Sequence, residues 1–255
     1  MENATQAAEP VHRPLDWTLA AKALVGLATD TSRTDHVFTI IAALTGDSFE
    51  RTFQDFRATQ HGQKLLRERP SLLAILSDRE RLAAMPEGSF GRAYLDFMDR
   101  ASITGDGLVA AQDARRDPKG AFEQDPDRRY VSDRLRDMHD LWHVLTDYGS
   151  DDTGEIANLW FSVGQFGNPG MAFIAFFGAI GGTPDEPVGW WYYCYRAWLR
   201  GKKARRLISE PLEEMLSLPL EEVRQRLWIQ PTEAVHHEGV RRGYRRDHEL
   251  GAIAA

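Results

Sequence analysis

Apolar positions recur along this chain at three- and four-residue intervals almost throughout, the period of an α-helix. Residues 17–28 (WTLAAKALVGLA) place Trp17, Leu19, Ala20, Leu24, Leu27 and Ala28 at helical spacings behind Asp16, a suitable N-cap. Residues 36–44 follow Thr34 and stop at Gly46. Phe49, Phe53 and Phe56 repeat at four and three residues, and Pro70 should end or kink a helical pattern. Two more helices are predicted over 89–98 and 108–114, and a loop over 120–127 around Pro126. Residues 130–148 (YVSDRLRDMHDLWHVLTDY) predict one long amphipathic helix. Its buried stripe is Val131, Leu135, Met138, Trp142 and Leu145, and it ends at Gly149. A polar turn (149–154, GSDDTG) leads to a helix over 155–166. A second turn (164–170) leads to an all-apolar helix over 171–181. Further helices are predicted over 190–206 and 213–227.

Sustained two-residue alternation is absent, so no strand is predicted, and neither repeats nor low-complexity linkers break the chain. The expectation is an all-α, single-domain multi-helix bundle. Residues 1–14 should be a flexible N-terminus, 15–230 the helical domain and 231–255 a frayed tail.

Composition narrows the function classes. With 255 residues, 42% hydrophobic and 27% charged, the chain is long enough for a sizeable core. Its net charge of −7 argues against nucleic acid as a partner. The single cysteine, Cys194, excludes an internal disulfide framework and a cysteine zinc ribbon, and suits a reducing compartment. Neither a secretory signal nor a transit peptide is evident at the start. The longest apolar stretch, 170–182, is shorter than the roughly 20 residues of a spanning helix. No glycine-rich dinucleotide or phosphate-binding loop occurs.

The sharpest chemical feature is the run His139-Asp140-Leu141-Trp142-His143. At about 100° per residue, the two histidines lie about 40° apart on one helix face, with Asp140 about 60° from His143. Histidines at i and i+4 are the arrangement of helical metal sites. Glu155 follows twelve residues after His143, and an antiparallel partner helix would return its carboxylate to the same point. Two imidazoles and two carboxylates suit a divalent ion: zinc first, with iron, manganese or cobalt as the others. The same residues can instead make ordinary i,i+3 and i,i+4 surface contacts. A zincin-type hydrolase is a further alternative, although Asp140 stands where those enzymes carry a longer glutamate.

H-D-x-x-H, eleven residues, then Glu resembles the signature of the coenzyme Q biosynthesis protein 4 family, here His139, Asp140, His143 and Glu155. Flanking stretches resemble that family too, at 34–44, 82–97 (LAAMPEGSFGRAYLDF), 195–207 and 219–229 (PLEEVRQRLWI), so the likeness covers about residues 15–230. The chain departs from it at Trp228, where glycine is usual, and in a longer tail after Pro231. The resemblance implies an α-helical protein at a membrane surface that acts in ubiquinone biosynthesis. The implied activity is metal-dependent, oxidative loss of the C1 carboxylate from a polyprenylated 4-hydroxybenzoate-type precursor, with the four motif residues as ligands. The alternative role is a non-catalytic lipid-binding scaffold for the other ubiquinone-biosynthesis enzymes. With no transit peptide, the expected location is bacterial: cytoplasmic, at the inner membrane. Self-association stays open.

Apolar helix 171–181 and the aromatics after it then offer candidate contacts for a polyprenylated benzoate or quinone precursor: Phe173, Phe176, Phe177, Trp191 and Tyr195. They would line an apolar groove or tunnel; ordinary core packing is the alternative. Arg196, Arg200, Lys202, Lys203, Arg205 and Arg206 read either as a solvated face or as an anionic-lipid contact. Cys194 reads as a buried, inert thiol. The 164–170 turn is at most a weak anion site.

Overall fold

A computed structural model describes residues 11–29, 34–101, 125–181 and 187–232. The predicted helix 108–114, most of the expected N-terminus, the tail from 233, and Gly182 lie outside the described residues.

Among the described residues every regular element is helical, and the nearest approach to a sheet is a lone Ser89–Pro219 bridge. Several helix starts follow a capping side chain. Before α1 (Trp17–Thr29), the Asp16 carboxylate accepts the Leu19 N–H at 2.8 Å. After α2 (Thr34–Ala43) and α3 (Ser48–Ala58), the side chains of Thr59, Ser71, Asp78 and Ser89 cap α4 (Gln60–Glu68), α5 (Leu72–Ser77), α6 (Arg79–Ala83) and α7 (Phe90–Arg100). Pro70 falls between α4 and α5, where a missing N–H does least harm.

Three boundaries differ from expectation. Pro126 does not lie in a loop but opens α8 (Pro126–Asp137), with Asp125 accepting from the Asp127 and Arg128 N–H groups. The long 130–148 helix is instead two, α8 and α9 (His139–Thr146), joined at Met138. Ladder bonds from Met138 N to Arg134 O and from Trp142 N to Met138 O persist across that joint. Helix α9 stops at Asp147, which is left-handed, two residues before the expected glycine. Its successor α10 (Asp152–Phe166) starts three residues earlier than predicted, because Asp151 caps it through the Gly154 N–H at 3.0 Å.

Helices α11 (Pro169–Gly181) and α12 (Pro187–Lys203) follow, then a 3-10 turn (Leu207–Ser209) and two short helices, α13 (Leu212–Met215) and α14 (Leu220–Arg226). The last two replace the single segment expected over 213–227, since Pro219 restarts the chain.

Helices α10 and α12 meet backbone to backbone. A Cβ at Gly164 would lie 2.3 Å from the Trp198 carbonyl oxygen, and one at Gly201 2.1 Å from that of Phe161, so only glycine fits at this crossing. The main core gathers Phe53, Phe56, Phe90, Trp142, Phe161 and Trp190. A smaller cluster joins Ala20, Ala23, Ile40, Leu44 and Ile174 of α1, α2 and α11. Two buried arginines cross-link distant segments. Arg128 pairs with Glu50 through two bonds of 2.9 and 2.8 Å and also reaches Asp125. Arg134 pairs with Glu213 and donates to the Ile208 and Glu210 carbonyls.

Candidate metal centre

Helix α9 carries His139 and His143 one turn apart on one face, their ring centroids 4.9 Å apart. Helix α10 presents Glu155 from its first turn. The tight α9–α10 turn makes this register, and Gly154 permits it: a Cβ there would lie 2.1 Å from the Gly149 carbonyl oxygen. One ligand atom from each of His139, His143 and Glu155 lies within 4.8 Å of the others. His143 Nε2 is 3.3 Å from Glu155 Oε1, and His139 Nε2 is 3.6 Å from Glu155 Oε2.

Each imidazole is turned by a partner on its far nitrogen. His143 Nδ1 is 3.1 Å from the Tyr148 carbonyl oxygen, which can only accept, so the proton belongs on Nδ1 and the lone pair on Nε2. His139 Nδ1 is 3.1 Å from Asp140 Oδ1. Both Nε2 atoms therefore face Glu155, the orientation metal-bound histidines take when a carbonyl or carboxylate holds the other nitrogen. His143 is buried, and its Nε2 makes no hydrogen bond despite lying close to Glu155. A bare, buried acceptor nitrogen facing a second imidazole and a carboxylate fits a divalent cation. Phe97 stacks on the His143 ring at 5.3 Å and closes that side to water.

Of the four residues read from the motif, three converge, and Asp140 stands behind His139. The side chains that lock α9 carried no signal in the motif. Arg224 donates to the Leu145 and Val144 carbonyls at 3.0 and 2.9 Å. Arg200 and Thr232 both reach the Thr146 carbonyl, at 2.6 and 2.9 Å. These groups satisfy the open C-terminal carbonyls of α9 and fix its axis. Tyr148 acts through its backbone, which sequence reasoning cannot see; Gly154, beside Glu155, was the one legible clue.

The candidate substrate contacts form a chain of rings. Phe173 meets Trp17 at 6.3 Å and Phe177 at 4.6 Å, and Phe176 meets Phe177 at 5.5 Å and Trp191 at 5.7 Å. Helix α11 is not core on all sides. Ile174, Ala175 and Ala179 are buried, whereas Phe176, Phe177 and Ile180 are exposed. Tyr195 is exposed beside Trp198, at 5.8 Å.

The basic run is largely committed elsewhere. Arg200 is buried, Arg205 pairs with Glu210, Arg206 pairs with Asp55, and Arg196 lies over the Tyr192 ring. It is therefore not a six-cation face. The 164–170 turn is no anion site either, because Asn168 Oδ1 already accepts the Gly170 and Met171 N–H groups. Cys194 is buried, and burial pushes its thiol up to about 12, as an inert thiol requires.

Residues 8–233 match the family described as Coenzyme Q (ubiquinone) biosynthesis protein Coq4. The mitochondrial ubiquinone biosynthesis protein COQ4 of Coprinopsis cinerea is 28% identical over 229 residues, 86% of this chain and 74% of that protein. The mitochondrial COQ4 homolog of Bos taurus is 30% identical over 232 residues, 86% of this chain and 82% of that protein. In fold, the chain is similar to the crystal structure of a Nostoc punctiforme protein assigned to ubiquinone biosynthesis. The TM-score is 0.59 at 20% identity, over 85% of this chain and 100% of that one.

Proposed function

This chain belongs to the coenzyme Q (ubiquinone) biosynthesis protein Coq4 family, and from that premise we propose that it removes the C1 carboxylate of a polyprenylated 4-hydroxybenzoate-type precursor at a metal centre. The observation that carries the reading is the facing of His139 Nε2, the bare His143 Nε2 and Glu155 around one point. His139, His143 and Glu155 would hold a divalent ion, zinc or a redox-active neighbour such as iron, manganese or cobalt, which would supply Lewis-acid chemistry toward the ring carboxylate.

The remaining work belongs to the protein. Glu155 balances charge and stays ionised at neutral pH. The Tyr148 carbonyl keeps the His143 proton on Nδ1, and Asp140 holds His139 in the matching orientation, accepting rather than ligating. Phe97 keeps water off one side of the centre. Loss of carbon dioxide leaves an electron pair at C1. A proton takes that pair in simple decarboxylation. In the oxidative form dioxygen takes the two electrons and leaves as hydrogen peroxide, while water supplies the hydroxyl that replaces the carboxylate.

The polyprenyl tail is assigned to the aromatic surface of Phe173, Phe176, Phe177, Trp191 and Tyr195. No described helix is long and apolar enough to cross a membrane, and we assign the exposed Trp17, Val25, Phe176, Ile180 and Val188 to contact with a membrane surface. The same surface favours the second reading, a scaffold that gathers pathway enzymes without catalysis. Metal-loaded protein incubated with a short-chain prenylated hydroxybenzoate under air separates the two. Carbon dioxide release that stops on chelation supports the enzyme. Intact substrate with wild-type metal content overturns it in favour of the scaffold.

A further inference from the structure

Three arginines are almost wholly buried among the described residues: Arg128, Arg134 and Arg200. The first two are neutralised by Glu50 with Asp125 and by Glu213. Arg200 has no carboxylate partner among the described residues. It donates to the Thr146 and Gln230 carbonyls, hydrogen-bonds the Tyr148 side chain, whose ring centroid is 5.3 Å away, and leaves its buried Nε without a bond; all these partners are neutral. A buried charge without a counter-charge is costly, and two carbonyl dipoles do not cancel it.

Arg200 lines a cavity of about 390 Å³ together with Lys203, Arg224, Gln225, Trp228 and Gln230. Arg224 keeps one exposed partner, Glu221, and Lys203 is exposed with no ion-pair partner among the described residues. Arg205, beside the Trp228 ring at 5.7 Å, is balanced by Glu210. The cavity wall thus carries an excess of positive charge on a chain whose net charge is −7.

Trp228 also lines this cavity. It is the residue that leaves α14, at φ 58°, in the left-handed region where helices normally end on glycine. A bulky aromatic is disfavoured there, yet its ring is largely exposed and lines the cavity. Neither the helix nor the core benefits from this ring. Arg205 lies over the ring, and Arg200, Lys203 and Arg224 line the same cavity.

We infer that this cavity, at the C-terminal end of α9 and separate from the metal centre, binds a phosphate-bearing ligand whose body packs against the Trp228 ring. The phosphate supplies the counter-charge that Arg200 lacks among the described residues. Two sources share this chemistry, a soluble phosphate ester and the headgroup of an anionic phospholipid.

The test uses the full chain with phenyl phosphate and inorganic phosphate as soluble probes, read by titration calorimetry and the thermal midpoint. The lipid probe is phosphatidylcholine vesicles with and without phosphatidylglycerol, read by flotation. Phenyl phosphate should bind more tightly than inorganic phosphate, weaken with salt, and bind His143→Ala as well as the parent. Lys203→Ala and Trp228→Gly should each weaken it by about tenfold, the loss of one charge-assisted or stacking contact. Trp228→Gly should melt no lower than the parent, because glycine suits the left-handed position, so its loss of binding is not unfolding. Phosphatidylglycerol-dependent flotation lost in both variants identifies the headgroup as the source; soluble binding alone identifies the ester. The inference is overturned if neither probe binds, or if binding survives both substitutions unchanged. Binding lost in His143→Ala would assign the anion to the metal centre and overturn it equally.

Discussion

His143 Nδ1 stands 3.1 Å from the backbone carbonyl of Tyr148, five residues further along the chain. This short loop-back sets the tautomer of the buried imidazole and aims its other nitrogen at Glu155. Because the partner is a backbone atom, replacing the Tyr148 side chain leaves the bond in place, whereas altering the turn that carries it does not.

Metal content is the first consequence. Carefully prepared protein should hold about one divalent ion per chain, as expected for a single centre with three protein ligands. His143→Ala should lose it, and elemental analysis of the two proteins decides the matter. Full occupancy in the variant would exclude this centre.

Glu155→Ala should cut decarboxylation by orders of magnitude, since a catalytic ion contributes several kcal/mol and each ~1.36 kcal/mol is tenfold in rate. Its fold should survive, because the core does not depend on one ion as a zinc finger does. Product release and the thermal midpoint are to be measured on the same preparation. Lost turnover with a collapsed midpoint would instead mark a structural metal.

Gly154→Ala should damage both stability and metal retention. The added methyl would meet the Gly149 carbonyl at 2.1 Å, so the α9–α10 turn must open and carry Glu155 away from the histidines. A midpoint drop of roughly 1–3 kcal/mol equivalent, typical of overpacking, should accompany weaker metal binding. Native metal affinity in this variant would show that the turn does not set the register.

Acid stability should follow the Arg128 network. Burial pushes Glu50 and Asp125 up. For Glu50 the Arg128 and Gln54 hydrogen bonds outweigh it; for Asp125 the Arg128 and Asp127 N–H groups do so, and both carboxyls stay below their ordinary values. With folded values below unfolded ones of about 4.3 and 3.9, the unfolded chain binds protons first as pH falls. Their contribution is complete at neutral pH, declines below about pH 4.5, and is gone once the folded values are passed. Glu50→Ala should cost about 3–5 kcal/mol at pH 7, because it leaves the buried guanidinium with only the Asp125 carboxylate. Denaturant midpoints of variant and parent should converge toward pH 2; a constant gap would contradict the assignment.

Membrane contact should depend on the ring surface rather than on the basic run. Phe176→Ser with Ile180→Ser removes two exposed apolar side chains without touching the buried face of α11. Each loss should weaken vesicle binding by about 1.5–3 kcal/mol if the side chain is buried in lipid. Flotation on neutral vesicles measures it, and unchanged flotation would sink the assignment.

Sequence alone determined the helical architecture, the Asp16 cap of the first helix, and the grouping of His139 with His143. All three are local: period, capping chemistry and i,i+4 geometry act within a turn or two of chain. It also pointed to Glu155 through spacing and the adjacent turn. Tertiary structure decided what depends on distant partners. Asp140 turned toward His139, leaving three facing groups in place of four. Arg200, one of six cations in a row, was drawn inward because the C-terminal carbonyls of α9 needed donors. The apolar helix 171–181 was left half exposed, because a hydrophobic run marks a helix as apolar but not which neighbours cover it. Trp228 shows the division most plainly. Its identity was legible as a departure from glycine, but its left-handed backbone and its place on a cationic cavity exist only once α12 and α14 have packed together.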